Sequence, residues 1–151
     1  MVQVRNILWL TDFSEDSAHA LAYARTLAEF WKTRLYLMHV IENPTSSAYG
    51  AVDGDYLAME TNARDKSRTW LAETAGGLGD GVDHEILLRE GEILTEILKV
   101  ETDKAIGTIV VGSHGRTGLA HILLGSVTDK VVRSARCPVY VVRHPTRAAR
   151  R

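Results

Sequence analysis

The chain has 151 residues, 45% of them hydrophobic, and a formal net charge of −1. This length and composition suit one globular domain with a full hydrophobic core. With a near-neutral charge, the protein as a whole is not electrostatically attracted to nucleic acid or to an anionic membrane. No apolar run approaches the roughly 20 residues that cross a bilayer. We therefore expect neither nucleic acid nor a membrane as a partner.

The N-terminus and the cysteine content bear on localisation. The N-terminus lacks the basic segment, apolar stretch and small-residue cleavage site of a signal peptide. Cys137 is the sole cysteine, so no internal disulfide can form, which fits a reducing cytoplasm. It precedes Pro138 at the start of an apolar run, so a buried structural thiol is favoured over a redox role.

The first part of the chain predicts a strand, a helix and a second strand. Val4 to Leu10 is an apolar run typical of a strand buried on both faces. Ser14 suits a helix N-cap, with Glu15 and Asp16 in the first turn. The second strand is predicted from Arg34 to Val40. The apolar face of the intervening helix contains Ala20, Leu21, Ala24, Leu27, Ala28 and Trp31.

The middle of the chain predicts a loop and a long helix. Asn43 to Asp55 is rich in turn residues and has no period, which indicates a loop. At this length it is either a functional lid or an insertion, and an insertion is favoured. The helix that follows ends at Gly76 and Gly77. Its regularly spaced residues are Tyr56, Met59, Ala63, Trp70 and Thr74.

The last part alternates three strands with two helices. Strands are predicted from Val82 to Leu88, from Ala105 to Val111 and from Pro138 to Val142. Gly91 opens one helix, and the other runs from about Ser126 to Ser134. The inward positions of the first are Ile93, Leu94, Ile97 and Leu98.

Residues 144 to 151 hold three arginines without an apolar period and are expected to form a solvated basic tail after a domain of residues 1 to 143.

The order of elements is βαβαβαβαβ. Helices between apolar strands require a parallel sheet with right-handed crossovers. The fold class is therefore α/β, a doubly wound three-layer sandwich.

A glycine-rich stretch follows the fourth strand, with Gly112, Gly115 and Gly125 before Ser126. Glycines can take positive φ and let a bound group approach the backbone, so that N–H groups converge on a phosphate. A helix that starts at Ser126 adds free N–H groups and the positive end of its dipole. Alternatively, the glycines only make turns, and Ser126 is an N-cap with Asp129 completing a capping box. The spacing alone leaves both interpretations open.

The stretch matches neither the P-loop pattern nor the dinucleotide-binding pattern G-x-G-x-x-G. Its spacing, G-x2-G-x9-G-S over Gly112, Gly115, Gly125 and Ser126, resembles the motif of nucleotide-binding members of the universal stress protein family. The segment Thr-Asp-Phe-Ser at 11–14 also resembles the strand-one signature of that family. The resemblance covers nearly the whole chain. It implies a sheet of order 3-2-1-4-5, like that of the adenine nucleotide alpha hydrolases.

In that order, strands one and four flank the point where the winding direction reverses, and ligands bind outside the carboxyl ends of such strands. Thr11 and Asp12 end strand one, so they should meet the glycine loop at one crevice. Asp12 is expected near the base and ribose or a bound Mg²⁺ or Mn²⁺, or it only forms an Asx turn.

The resemblance also implies individual contacts. The backbone of Val40 should face adenine, and Ser113, Arg116 and Val127 match ligand-contacting positions. Arg116 could neutralise a phosphate. His114 could titrate near neutrality, but the sequence shows no partner base for catalysis.

The histidines show no metal-binding spacing, and His39, among apolar residues, is expected to be a core histidine. No catalytic residue is assigned.

The expected function is ATP binding, with Mg or Mn held through the phosphates, by a sensor or interaction module of the universal stress type. The alternatives are a slow ATP-hydrolysing or adenylyl-transferring enzyme and an interaction module without nucleotide. A homodimer through the apolar edge strand Val139–Val142 is also expected.

Overall fold

The computed structural model describes residues 4–42, 54–116 and 124–145, without the side chains of residues 54–57. Its five strands form one parallel sheet of order β3-β2-β1-β4-β5, which confirms the predicted doubly wound fold. The elements are β1 Ile7–Leu10, α1 Glu15–Trp31, β2 Leu35–Ile41, α2 Gly54–Gly76, β3 His84–Glu90, α3 Ile93–Asp103, β4 Thr108–Gly112, α4 Ser126–Ser134 and β5 Val139–Val142.

The hydrophobic core lies in two layers, one on each face of the sheet. Helices α1 and α2 cover one face, and α3 and α4 cover the other. The buried stripe of α1 consists of small residues, Ala20, Ala24 and Ala28. Small side chains let this helix lie close to the sheet, which brings its first turn against the end of β4.

The predicted helix α2 is present, but the residues singled out for it do not form its buried face. Met59 is 72% exposed, and Ala63 is also exposed. The buried positions are Ser67, Leu71 and Ala75, which recur every fourth residue. The prediction followed the aromatic residues and Met59, whereas the packed face combines Leu71 with the small Ser67 and Ala75.

Several boundaries differ from the predicted ones. Gly54 and Asp55, expected in the loop, already belong to α2, and the rest of that loop lies outside the described residues. Strand β1 begins at Ile7 and not at Val4, whereas α4 has the predicted bounds. The tail beyond residue 145 also lies outside the described part. Among the described helices, we find no segment with the length and apolar content that a membrane crossing needs.

Candidate functional site

A cleft of about 390 Å³ lies at the carboxyl ends of β1, β2 and β4. Its volume is within the range of small-molecule sites, about 300–1,000 Å³. The structure brings together all the predicted site residues except Ser113, which lies behind the wall and is 1% exposed. Those that line the cleft are Thr11, Asp12, Val40, Gly112, Gly115, Arg116, Gly125, Ser126 and Val127.

A larger groove of about 810 Å³ lies between α1 and α2. It shares Thr11, Ser17 and Arg116 with the cleft, but no glycine of the predicted motif lines it. The cleft is the candidate site because the two sequence motifs meet there, at the point where winding reverses.

Asp12 joins the end of β1 to the glycine loop. Its Oδ1 accepts a hydrogen bond from the Ser14 amide at 3.0 Å, which is the Asx turn foreseen as an alternative. Its Oδ2 accepts from the Arg116 amide at 3.0 Å, and Arg116 Nε donates to the Asp12 carbonyl at 2.7 Å. The guanidinium of Arg116 is thus anchored to the backbone of Asp12 at the rim of the cleft.

The glycines of the motif do not serve the conformational purpose predicted for them. Positive φ occurs among the described glycines at Gly79 and Gly91 only. Gly125 has a φ of −63°, and neither Gly112 nor Gly115 lies in the left-handed region. The expectation of positive φ is therefore wrong for these three glycines.

Close approach of neighbouring groups explains these glycines instead. A Cβ on Gly112 would lie 2.9 Å from the carbonyl carbon and oxygen of Asp16. A Cβ on Gly115 would lie 2.6 Å from Asp12 Oδ2, and one on Gly125 would lie 3.3 Å from His114 Cα. Distances below 3.0 Å cannot persist, so side chains at 112 and 115 would displace the loop or its partners.

Helix α4 begins in the wall of the cleft without a side-chain cap. Its N-cap is Gly125, and no side-chain cap hydrogen bond is found within the described residues, so the alternative interpretation with Ser126 as the N-cap of a capping box is wrong. Asp129 pairs with Arg133 at 3.0 Å instead. By contrast, Ser14 caps α1 and Glu92 caps α3. As far as the described residues show, the first amides of α4 therefore retain donor capacity for an anion at the positive end of the helix dipole.

Asp16 is a site residue that the sequence prediction missed. It is 4% exposed, and its Oδ2 accepts from the Ser113 hydroxyl at 3.3 Å and from the His114 amide at 3.2 Å. The signal was available, because Asp16 precedes Ala20 by one turn and therefore lies on the same buried stripe of α1. The sequence analysis placed Asp16 only in the first turn of the helix, where a carboxylate interacts favourably with the helix dipole.

His39 borders the cleft and is half-buried. Its Nδ1 lies 2.7 Å from the Thr11 carbonyl oxygen, and its ring packs on Phe13 with centroids 4.5 Å apart. Burial lowers the pKa of His39, although the hydrogen bond to Thr11 opposes this effect. Phe13 itself has a φ of 62°, a left-handed conformation that is uncommon for such a residue. The predicted core histidine is thus hydrogen-bonded and packed, but it also forms part of the wall.

Cys137 lies at the turn between α4 and β5. The buried carboxylate of Glu101 accepts hydrogen bonds from the amides of Arg136 and Cys137, both at 2.7 Å. Burial, together with the neighbouring Glu101, raises the pKa of the Cys137 thiol to about 12. These contacts agree with the predicted structural thiol, since the thiolate is the reactive form.

These features define a doubly wound α/β protein whose cleft, at the reversal point of the sheet, is walled by a glycine loop and a helix N-terminus. Residues 3–143 match the Universal stress protein family, and the chain belongs to that family.

The curated relatives match over most of their length. The chain is 29% identical over 157 residues to universal stress protein MJ0577 of Methanocaldococcus jannaschii, covering 94% of this chain and 96% of that protein. It is 35% identical over 139 residues to universal stress protein YxiE of Bacillus subtilis, covering 87% of this chain and 94% of that protein.

Solved structures show the same fold. The structure of MJ0577 superimposes with a TM-score of 0.83 at 28% identity, over 95% of this chain and 98% of that one. A universal stress protein in complex with cAMP has a TM-score of 0.68 at 21% identity, over 93% of this chain and 98% of that one. One from Archaeoglobus fulgidus in complex with dAMP has a TM-score of 0.61 at 18% identity, over 94% of this chain and 99% of that one.

Proposed function

We propose that the protein binds an adenine nucleotide, ATP foremost, in the cleft and acts as a cytoplasmic sensor or interaction module in stress response. The observation that carries this proposal is the N-terminus of α4, which has no side-chain cap within the described residues and which lines the cleft together with Gly115 and Asp12. Helix amides without a cap at a concave surface are suited to a phosphate group. The complexes of similar proteins with cAMP and dAMP support an adenine nucleotide as the ligand.

The lining residues suggest how such a ligand would lie. The amides of Ser126 and Val127 and the Ser126 hydroxyl would take the phosphates, since they belong to the first turn of α4. Apolar wall residues and Val40 would receive the base, and Thr11 and Asp12, which also line the cleft, would lie between the two ends. In this arrangement the carboxylate of Asp12 would lie near the phosphate end, and the repulsion between the two negative charges would require compensation.

A divalent cation would supply that compensation. Within the described residues, no group of three or more histidine, cysteine or carboxylate side chains is arranged to hold a metal ion. An Mg²⁺ or Mn²⁺ ion would therefore be held mainly through nucleotide phosphates, which suits Mg²⁺ because it retains several water ligands.

Two measurements test nucleotide binding. Native mass spectrometry of the protein as purified should show a co-purifying adenine nucleotide. After its removal, ATP with Mg²⁺ at 100 times its Kd should stabilise the fold by about 2.7 kcal/mol, which raises the Tm by roughly 5–10 °C in a domain of this size. Guanosine triphosphate serves as the control for base recognition. A folded, nucleotide-free sample whose Tm does not respond to millimolar ATP contradicts the proposal.

We also propose a homodimer through β5, the edge strand that pairs with β4 alone within the described residues. The Ile109 amide donates to the Pro138 carbonyl at 3.0 Å, and the Ser113 amide donates to the Val142 carbonyl at 2.8 Å. Since successive residues of a strand direct their backbone groups to opposite sides, Val139 and Val141 present theirs to the open edge. Two copies related by a two-fold axis could pair these edges.

A further inference from the structure

Strand β2 extends beyond its neighbour β1 where the two strands reach the cleft. The register between β1 and β2 ends with Leu10 opposite Met38, whereas the register between β2 and β3 continues to Ile41 opposite Glu90. Within these registers Val40 is paired on its β3 side only, and it lines the cleft. The last residues of β2 therefore have one open side at the candidate site.

The backbone groups of Val40 are directed to that open side. The Gly91 amide donates to the Ile41 carbonyl, so the odd-numbered residues of β2 direct their backbone groups to β3. The Thr11 amide donates to the Met38 carbonyl, so the even-numbered residues direct theirs to β1. Successive residues of a strand alternate in this way. In a ladder continued by one step, the Val40 amide would donate to the Thr11 carbonyl.

The groups that would continue the ladder are bonded elsewhere. The Thr11 carbonyl oxygen lies 2.7 Å from His39 Nδ1, and the Phe13 amide donates to Thr11 Oγ1 at 2.9 Å. Within the described residues, no backbone hydrogen bond joins Val40 to the end of β1. Backbone groups in a protein rarely remain without a partner, so the N–H and C=O of Val40 are suited to water or a ligand in the cleft.

The contact with Thr11 also shows which nitrogen of His39 carries a proton. A backbone carbonyl can only accept a hydrogen bond, so the proton of this contact belongs to Nδ1. The ring is held by aromatic packing, because its centroid lies 4.5 Å from that of Phe13, and Phe13 packs on Trp70 at 4.8 Å. The side chain of His39 thus takes the place of the Val40 amide as the donor to Thr11.

We propose that His39 is a positioning residue that donates Nδ1–H to the Thr11 carbonyl, keeps the ladder between β1 and β2 open by one step, and so leaves the N–H and C=O of Val40 to the cleft. This inference rests on the proposed nucleotide site and deepens it. A neighbouring donor and acceptor match adenine, whose N1 accepts and whose N6 amino group donates. Hypoxanthine and guanine carry N1–H and O6 instead, so each would place a like group against Val40.

Ring spectra and amide hydrogen exchange test this positioning without a ligand. At about pH 7.5, above the ordinary histidine pKa of about 6.5, long-range ¹H–¹⁵N spectra of the parent should show the Nδ1–H pattern for His39. After correction for intrinsic rates, the Val40 amide should exchange at least about a hundredfold faster than that of Met38, which lies within the ladder. In His39→Leu the Val40 amide should close onto Thr11 and exchange about tenfold slower or less. His39→Asn should restore fast exchange, because asparagine has the shape of leucine and places an N–H donor near the position of Nδ1.

Nucleotide selection is measured as the ratio of the Kd for inosine triphosphate to the Kd for ATP. Hypoxanthine lacks the 2-amino group of guanine, so it isolates the N1 and O6 edge. The ratio should fall about tenfold or more in His39→Leu, equivalent to about 1.4 kcal/mol, and recover in His39→Asn. His84→Leu is the control, because His84 Nδ1 also lies 2.9 Å from a backbone carbonyl, that of Val82, but at the first residue of β3. It should change neither the exchange of Val40 nor the ratio.

Three results would overturn the inference. They are an Nε2–H pattern for His39 in the parent, a parent Val40 amide as protected as that of Met38, and a folded His39→Leu variant that keeps the parent's exchange or the parent's ratio. If His39→Leu does not fold, the parent spectra still decide, and a folded His39→Asn variant that loses the preference for ATP counts against the inference. A parent that gives the expected spectra but binds no ATP contradicts the proposed function and not the role of His39 at the strand ends.

Discussion

Substitution of Gly115 by alanine tests whether this glycine is required by the approach of Asp12. The new Cβ would lie 2.6 Å from Asp12 Oδ2, and an ordinary van der Waals contact begins near 3.4 Å, so the carboxylate must retreat by about 0.8 Å. A retreat of that size removes the 3.0 Å hydrogen bond from the Arg116 amide. A lost hydrogen bond to a charged group costs about 1.5–3 kcal/mol. In a domain of this size that lowers the Tm by roughly 3–12 °C.

Urea denaturation gives the free energy of unfolding, and a double-mutant cycle identifies the cause. In an Asp12→Ala background the clash is absent, so Gly115→Ala should be less destabilising there by about 1 kcal/mol or more. Gly81→Ala is the control, because a Cβ at Gly81 meets nothing within 4 Å and it corrects for the general entropic gain of alanine. The reasoning is refuted if Gly115→Ala costs the same with and without the Asp12 carboxylate.

Three further predictions concern other parts of the molecule. The pKa of His39 is lowered in the folded protein, so on acidification the unfolded chain binds a proton at this histidine at a higher pH than the folded protein does. The free energy of unfolding should therefore fall as the pH drops below about 6.5. Denaturant titrations should show a smaller fall in His39→Gln. The pKa of the Cys137 thiol is raised to about 12 in the folded protein, so the fraction of reactive thiolate near pH 8 is far smaller than in the chain unfolded in urea. The folded protein should therefore react with iodoacetamide roughly a hundredfold or more slower than the unfolded chain. Equal rates would contradict this. Val139→Pro removes an outward amide and should yield folded monomer by light scattering, whereas Tyr140→Pro, on the β4 side, should unfold the edge; a fully dimeric Val139→Pro would refute pairing through β5.

The order and type of the elements were predictable because each apolar run is separated from the next by a helical period. The bounds of α4 were predicted correctly, since Gly125 and Ser134 enclose a short amphipathic pattern. The buried face of α2 was not predicted correctly. Its packed residues include the small Ser67 and Ala75 beside Leu71, and local sequence does not reveal that a sheet lies close enough to bury a serine.

The spacing predicted where the glycine loop lies, but the physical reason predicted for its glycines was wrong. Sequence spacing cannot distinguish a glycine needed for positive φ from one needed for close approach. At Gly112 and Gly115 the decisive neighbours are Asp16 and Asp12, which are distant along the chain. Only the packing of α1 against the end of β4 brings these carboxylates to the loop.

The two carboxylates change how the loop can serve a nucleotide. The His114 amide is donated to Asp16 and the Arg116 amide to Asp12, so two of the donors that a phosphate could have used are satisfied within the protein. Asp12 and Asp16 therefore hold residues 114 and 116 without a ligand, and on the proposed function the phosphates of a nucleotide would bind at the first turn of α4. A highly charged ligand placed there is near the negative charge of Asp12, and a divalent cation between them would turn that repulsion into a shared contact. On the proposed function, the same geometry would therefore provide an anion site at the helix and would require a cation beside it.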